Sequence, residues 1–184
     1  MAEPSPLPSF TGLVVHRDPA FGYSLLIPDG WHRLELQESP GLLYAPDPDD
    51  PLTGLAVEAR DLGTAVRPSD LPTLRSGFLA GLRRMPGCRL ERREAEAVGR
   101  LISLEARHIY RDGEAIRKRW VRLLYQGRTL LHLQAQGASV QAFDYWEPMF
   151  YQAMRTVRFA DWWADALGTP WAERLFPDEA QPAP

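Results

Sequence analysis

Apolar and polar residues alternate along this chain with two different periods, and the places where the period changes outline its elements. Through residue 61 the apolar runs are short and broken by Pro, Asp and Gly, the punctuation of strands. Residues 13–16 and 23–27 read as strands, the second closed by Pro28, which cannot donate to a ladder. Asp29-Gly30 turns the chain, and residues 31–36, 42–45 and 53–61 resume strand patterning. The period then lengthens. Leu71, Leu74, Phe78, Leu79 and Leu82 lie on one face of a helix, with Ser69 or Asp70 as its cap, Pro72 in its first turn and Met85-Pro86-Gly87 as its stop. Residues 89–136 return to period two as an antiparallel meander of three or four strands. Asp112-Gly113 predicts a type I′ hairpin turn there, and Gln126-Gly127 a second turn. Ser139 opens a second helix whose buried stripe is Phe143, Trp146, Phe150, Ala153, Met154 and Val157, with Pro148 expected to kink or restart it.

The expected organisation has four parts. Residues 1–12 form a Pro-rich tail, 13–160 one domain, 161–176 a Trp-rich C-terminal helix and 177–184 a disordered end. The fold class is α+β, an antiparallel sheet sandwiched between helices, with the extra helix at the C-terminus.

Two stretches carry a resemblance. Gly22-Tyr23-Ser24-Leu25-Leu26-Ile27-Pro28-Asp29-Gly30-Trp31 is a strand running into a turn and a tryptophan, and Thr156-Val157-Arg158-Phe159 follows the second helix. With the order of elements, these resemble the PsbP-like superfamily over roughly residues 13–160. The resemblance implies an α/β/α sandwich and a role in binding or assembly, chaperone-like roles included. It supplies no catalytic residue to carry over.

Composition narrows the partners. The chain has 184 residues, 45% of them hydrophobic, which is ample for a core without staples. Its single cysteine, Cys88, forms no internal disulfide and no Cys-rich metal cage. The N-terminus shows no basic and apolar leader pattern, and no run of 18 uncharged apolar residues occurs, so a membrane span is not expected and the cytoplasm is the expected compartment. Net charge is −3, unevenly spread: residues 89–128 hold 11 basic against 6 acidic groups, whereas residues 1–70 hold 4 against 11. Twenty of the 21 basic residues are arginine, with Lys118 the exception, which suits a GC-rich genome.

Each candidate chemistry meets an obstacle. Gly137-Ala138-Ser139-Val140-Gln141 has the strand-to-helix context of a nucleophile elbow, but it lacks the second glycine and no histidine follows His132, so Ser139 reads as a helix cap. Asp47, Asp49, Asp50 and Glu58 fit a calcium loop poorly, with Pro51 and Leu52 at positions that need a ligand and a glycine. If both hairpin turns are two-residue turns, His108 faces Arg117 and His132 faces Val121, roughly 13 Å apart along the strands and too far for a shared ion. Cys88 has no assured basic partner, with His32 the one to consider. Arg117-Lys118-Arg119-Trp120-Val121-Arg122 divides its cations between two strand faces, and a pI near 5.8 opposes nucleic-acid binding.

The expected function is therefore a non-enzymatic protein-interaction or chaperone-like module whose partner is another protein, a homodimer included. No nucleic acid, cofactor or metal is expected. A carrier for a small apolar ligand, with its pocket between sheet and helix, is the alternative, and an enzyme comes last. The residues expected to contact the partner are Trp120, Arg122, Trp162, Trp163 and Trp171.

Overall fold

A computed structural model describes residues 8, 9, 11–36 and 40–160 of the chain. The expected Trp-rich helix, with Trp162, Trp163 and Trp171, lies outside the described residues. The elements within them run β1 (Leu13–Asp18), β2 (Tyr23–Pro28), β3 (His32–Glu35), β4 (Leu42–Ala45), β5 (Gly54–Asp61), α1 (Leu71–Arg83), β6 (Arg89–Val98), β7 (Leu101–Asp112), β8 (Ala115–Gln126), β9 (Thr129–Gln136), α2 (Val140–Arg155) and β10 (Arg158–Phe159).

These strands make two antiparallel sheets where the pattern suggested one. Seven strands form the order β3-β4-β5-β9-β8-β7-β6, and three form β1-β2-β10. Local pattern cannot separate the two, because β1 and β2 look like any hairpin until their partners are known. The fold is α+β as expected.

One face of the large sheet carries Tyr44, Leu55, Val57, Trp120, Leu124, Leu131, Leu133 and Ala135, all buried. The small sheet covers it with Tyr23, Leu25 and Ile27, and α2 covers it with Phe143, Phe150, Ala153 and Met154. The other face carries Ile102, Leu104 and Tyr125, against which α1 packs Leu71, Leu74 and Phe78. Each large apolar side chain so buried contributes about 1.5–3 kcal/mol, which is why both predicted stripes face the sheet.

The Pro28-Asp29-Gly30 turn is where the chain leaves one sheet for the other. Gly30 has φ +84°, a value that L side chains avoid. Trp31 then packs edge-on against Trp146 and Phe150, with ring centroids 5.7 Å apart in both pairs, and so ties the turn to α2. The two stretches of the resemblance meet in space: Phe159 pairs with Tyr23, Arg158 pairs with Ser24, and the Thr156 hydroxyl accepts the Leu26 N–H at 2.9 Å.

The hairpins of the meander differ in detail from the expectation. Asp112 pairs with Ala115, so the turn residues are Gly113, at φ +60°, and Glu114. Among the described residues only glycines have positive φ, which gives the glycine-first pattern of a type II′ turn in place of type I′. Gly127 does the same at φ +58°. The register therefore moves by two residues: His108 stands opposite Arg119, and His132 opposite Leu123. A shift of two leaves every side chain on its predicted face.

Helix ends also differ. The Asp70 carboxylate accepts the Arg67 N–H at 2.8 Å, closing the short turn before α1 and leaving that helix without a side-chain cap. The α2 helix is capped as expected, with Ser139 Oγ accepting the Ala142 N–H at 3.1 Å, and it continues through Pro148 without restarting. Just before it, a Cβ on Gly137 would lie 2.3 Å from the Phe143 nitrogen, so only glycine lets strand β9 turn this closely onto the helix. Replacing Ser139 by alanine is expected to lower stability by about 1 kcal/mol in urea unfolding. A change within error would mean that the cap does not hold this helix end.

Candidate interaction surfaces

The residues expected at a partner surface are built into the fold. Trp120 is fully buried, with the Arg107 guanidinium 4.0 Å from its ring centre and the Tyr151 ring 6.1 Å away. It has no surface to offer a partner, and that expectation is corrected. Its position between β7 and β9, on the face under α2, is the reason. Arg122 stands on the same face and donates to the Met154 carbonyl at 2.6 Å, joining β8 to the end of α2. Its guanidinium also lies 3.8 Å from Glu105, itself buried and 3.9 Å from Arg155. Neither partner of such a buried pair can leave without exposing the other to a low-dielectric interior. Arg122 is therefore a staple within the fold, a second correction. Trp162, Trp163 and Trp171 lie outside the described residues.

The rest of the basic run is spent in the same way. Arg117 bonds Asp112 at 2.7 Å and the Ala138 carbonyl at 3.2 Å. Lys118 bridges Asp144 and Glu91 at 2.8 and 3.3 Å. Arg119 lies over the Tyr110 ring, 4.5 Å from its centre, and donates to Gln136. Alternate side chains point to opposite faces, so no row of cations runs along the strand.

The four histidines are scattered. His16 is on β1, His32 on β3, His108 on β7 and His132 on β9. His132 Nδ1 lies 3.5 Å from Glu58, its cross-strand partner, which places Glu58 in the ladder rather than in a calcium loop. Asp47 and Asp50 instead close their own turn, accepting the N–H groups of Asp49 and Leu52. His108 is fully buried, and neither of its ring nitrogens has a partner among the described residues. Burial, assisted by the neighbouring Arg119 charge, pushes its pKa down to about 4. Cys88 is half-buried at the start of β6, and burial pushes its thiol pKa up. His32 is on the opposite edge of the seven-stranded sheet, roughly 29 Å away at 4.8 Å per strand gap, so that pairing is ruled out. Among the described residues no group of three or more metal-ligating side chains converges.

The sheet edges are more informative. Edge strand β6 carries six charged residues among its ten, from Arg89 to Glu96, and has an irregular register between Leu90 and Arg92, both devices that discourage strand addition. Edges β3 and β10 are four and two residues long. β1 has none of these protections along its valine stretch. It pairs with β2 over six uninterrupted residues, has no neighbour on its other side among the described residues, and exposes Val14 by 49% and Val15 by 55%. Sequence reading missed it, although Leu13-Val14-Val15 without a polar break was the available signal.

Hollows also lie against both helices. The one beside α2 holds about 470 Å³ and is lined by Arg107, Asp144, Glu147, Pro148, Tyr151 and Gln152, and the one beneath α1 holds about 170 Å³. No described helix is long and apolar enough to cross a membrane.

No protein-family model matches the chain, and no curated protein matches it by sequence. Solved structures do. The chain is similar to cyanobacterial PsbP (CyanoP) from Synechocystis sp. PCC 6803, with 15% identity and a TM-score of 0.56 over 85% of this chain and 99% of that one. It is similar to LpqN of Mycobacterium tuberculosis, a protein involved in cell envelope biogenesis, with 18% identity and a TM-score of 0.54 over 79% of this chain and 90% of that one. A Bacteroides thetaiotaomicron protein aligns with 12% identity and a TM-score of 0.52, over 79% of this chain and 47% of that one. At such identities the likeness concerns architecture alone, and in architecture the chain has the PsbP-like fold.

Proposed function

We propose that this protein is a non-enzymatic interaction module that takes an extended segment of another protein onto the outer edge of β1, which no described strand covers. The observation that carries the reading is the contrast between edges: β6 is defended by its many charged side chains and its register irregularity, and β1 presents exposed valines on an uninterrupted strand. A partner strand would satisfy the outward backbone groups of β1 and cover Val14 and Val15 on its two faces, which is recognition by strand addition. Backbone bonds supply affinity, and the alternate side chains supply selectivity.

The test compares the wild-type chain with a Val14→Lys, Val15→Lys double variant in affinity capture from native lysate. Both positions are exposed, so the variant should melt within about 2 °C of wild type. A protein retained by the wild type and lost from the variant is the expected result. Equal retention by both would remove β1 as the binding edge. Sedimentation of the wild type alone identifies the homotypic case: a dimer that the double variant abolishes would make a second copy the occupant.

A further inference from the structure

His108 lies under the weaker of the two layers that cover the large sheet. It is fully buried on the same face of β7 as Ile102 and Leu104, and neither ring nitrogen has a partner among the described residues. Its place beneath α1 follows from register. Phe78 and Leu79 lie beside Ala95, which pairs with Leu104. Leu82 comes one turn later and is buried, and residues 84–88 then deliver the chain to β6, where Leu90 pairs with His108. That connection is tied down by the Arg111 N–H, which donates to the Pro86 carbonyl at 2.8 Å. His108 therefore sits under the last turn of α1 and the segment that follows it.

This layer is thin. The α1 helix buries only Leu82, whereas α2 buries Phe143, Met149, Phe150, Ala153 and Met154. It also has no side-chain cap at its start, and Gly77 and Gly81 within it weaken the helix without any close packing to require them. A cation beneath it meets like charge. Arg119 stands opposite His108 on β8, Arg93 stands on the same face of β6, and Arg75 of α1 lines a hollow with Arg93. On β7 itself the neighbour is the Tyr110 ring, with its centroid 5.7 Å away. Asp112, the carboxylate further along that face, is held by Arg117 at 2.7 Å.

We propose that α1 is a cover released by acid: once His108 takes up a proton, the helix and residues 84–88 leave the sheet as one unit and expose Ile102, Leu104 and Tyr125, while α2 and the small sheet stay in place. Opening gives the imidazolium the water that burial denies it, so the proton shifts the equilibrium towards the open form. Releasing α1 achieves this with less loss of apolar burial than unfolding the core under α2. The inference is independent of strand addition at β1, which belongs to the other sheet and packs on the opposite face of the large one.

The experiment is hydrogen exchange of the full chain at pH 7.5 and 5.0, read by mass spectrometry and corrected for the intrinsic pH dependence of amide exchange. A histidine whose pKa moves from about 4 when covered to 6.5 when open raises the opening constant by about 30-fold between these conditions. Protection of residues 71–88 is therefore expected to fall by about 10- to 30-fold at pH 5.0, and that of residues 140–155 by less than about threefold. His108→Phe and His108→Met carry no group to protonate there, so residues 71–88 should stay protected at both values. Three results would overturn the proposal: equal loss in the two helices, no loss in residues 71–88, or the same loss in the variants. The first two use only the wild-type chain and do not depend on a variant folding.

Discussion

Trp120→Ala will unfold far more easily than wild type, by about 3–5 kcal/mol, or about 10 °C in melting temperature. Trp120 is fully buried on the face of the large sheet that carries the main core. Removing the indole deletes its apolar area, opens a cavity beneath α2 and leaves the Arg107 guanidinium, now stacked on the ring, facing that void. Burial of the surrounding strands limits how far they can relax into the space. Trp120→Phe should cost much less, because the indole N–H has no hydrogen-bond partner to lose among the described residues. Thermal and urea unfolding of the three proteins measure both effects. If Trp120→Ala instead melted within a degree or two of wild type, the indole would have to be dispensable to the core, and a surface role would return.

The second large effect is a loss of stability in mild acid that belongs to His108. In the folded protein its pKa is lowered to about 4, from 6.5, chiefly by burial and secondarily by Arg119. The sign follows from proton binding. Between these two values the unfolded chain takes up a proton that the folded chain refuses, so acid favours unfolding. The contribution is fully present above about pH 6.5, declines as pH falls through the window, and is exhausted below about pH 4. At 1.36 kcal/mol per unit, with allowance for local opening to water, it amounts to about 2–3 kcal/mol. Arg119 on β8 and Tyr110 on β7 are the polar rings and charges facing the imidazole, and the Arg119 guanidinium adds to the cost of a second cation there. His16 and His132 also have lowered pKa values, each mainly from burial, so wild-type acid sensitivity is a sum. The readout is therefore the difference between wild type and His108→Phe in urea midpoints at pH 7.5, 5.5 and 4.5. The variant should lose less stability on acidification by about 2 kcal/mol. Parallel declines would show that His108 is protonated at no cost in the folded state.

Much of this architecture was legible in residue order. The stripe Leu71, Leu74, Phe78 and Leu82 and the stripe Phe143, Phe150, Ala153 and Met154 face the sheet as their spacing requires. Strand β4 has the expected bounds, β2 and β5 lie within a residue of theirs, and Ser139 caps a helix as its position before an apolar run implies. The resemblance to PsbP-like proteins was legible as well, from a strand, a turn and a tryptophan. These features depend on local chemistry: the repeat of apolar positions, the φ restriction of proline, and the freedom of glycine at Gly30, Gly113 and Gly127.

Other features depended on which distant segments meet. That the strands divide into two sheets follows from Phe159 reaching Tyr23, a pairing with no local signal in a strand two residues long. The hairpin turns sit one residue later than Asp112-Gly113 implied, because Gly113 takes the first central position and lets Asp112 stay in the ladder. Trp120 and Arg122 look alike in sequence to surface residues of a basic strand. Their burial was decided by α2 lying across that face, a fact of packing rather than of propensity.

By itself, then, the sequence determined the α+β class, the two helices, the strand-rich meander and the absence of a convincing nucleophile or metal motif, since each is written in spacing and residue type over a few positions. Only the tertiary structure decided which side chains face solvent and that no described strand covers the outer edge of β1. Exposure and convergence are properties of residues far apart in the chain, and they exist only once hydrophobic burial has brought those residues together.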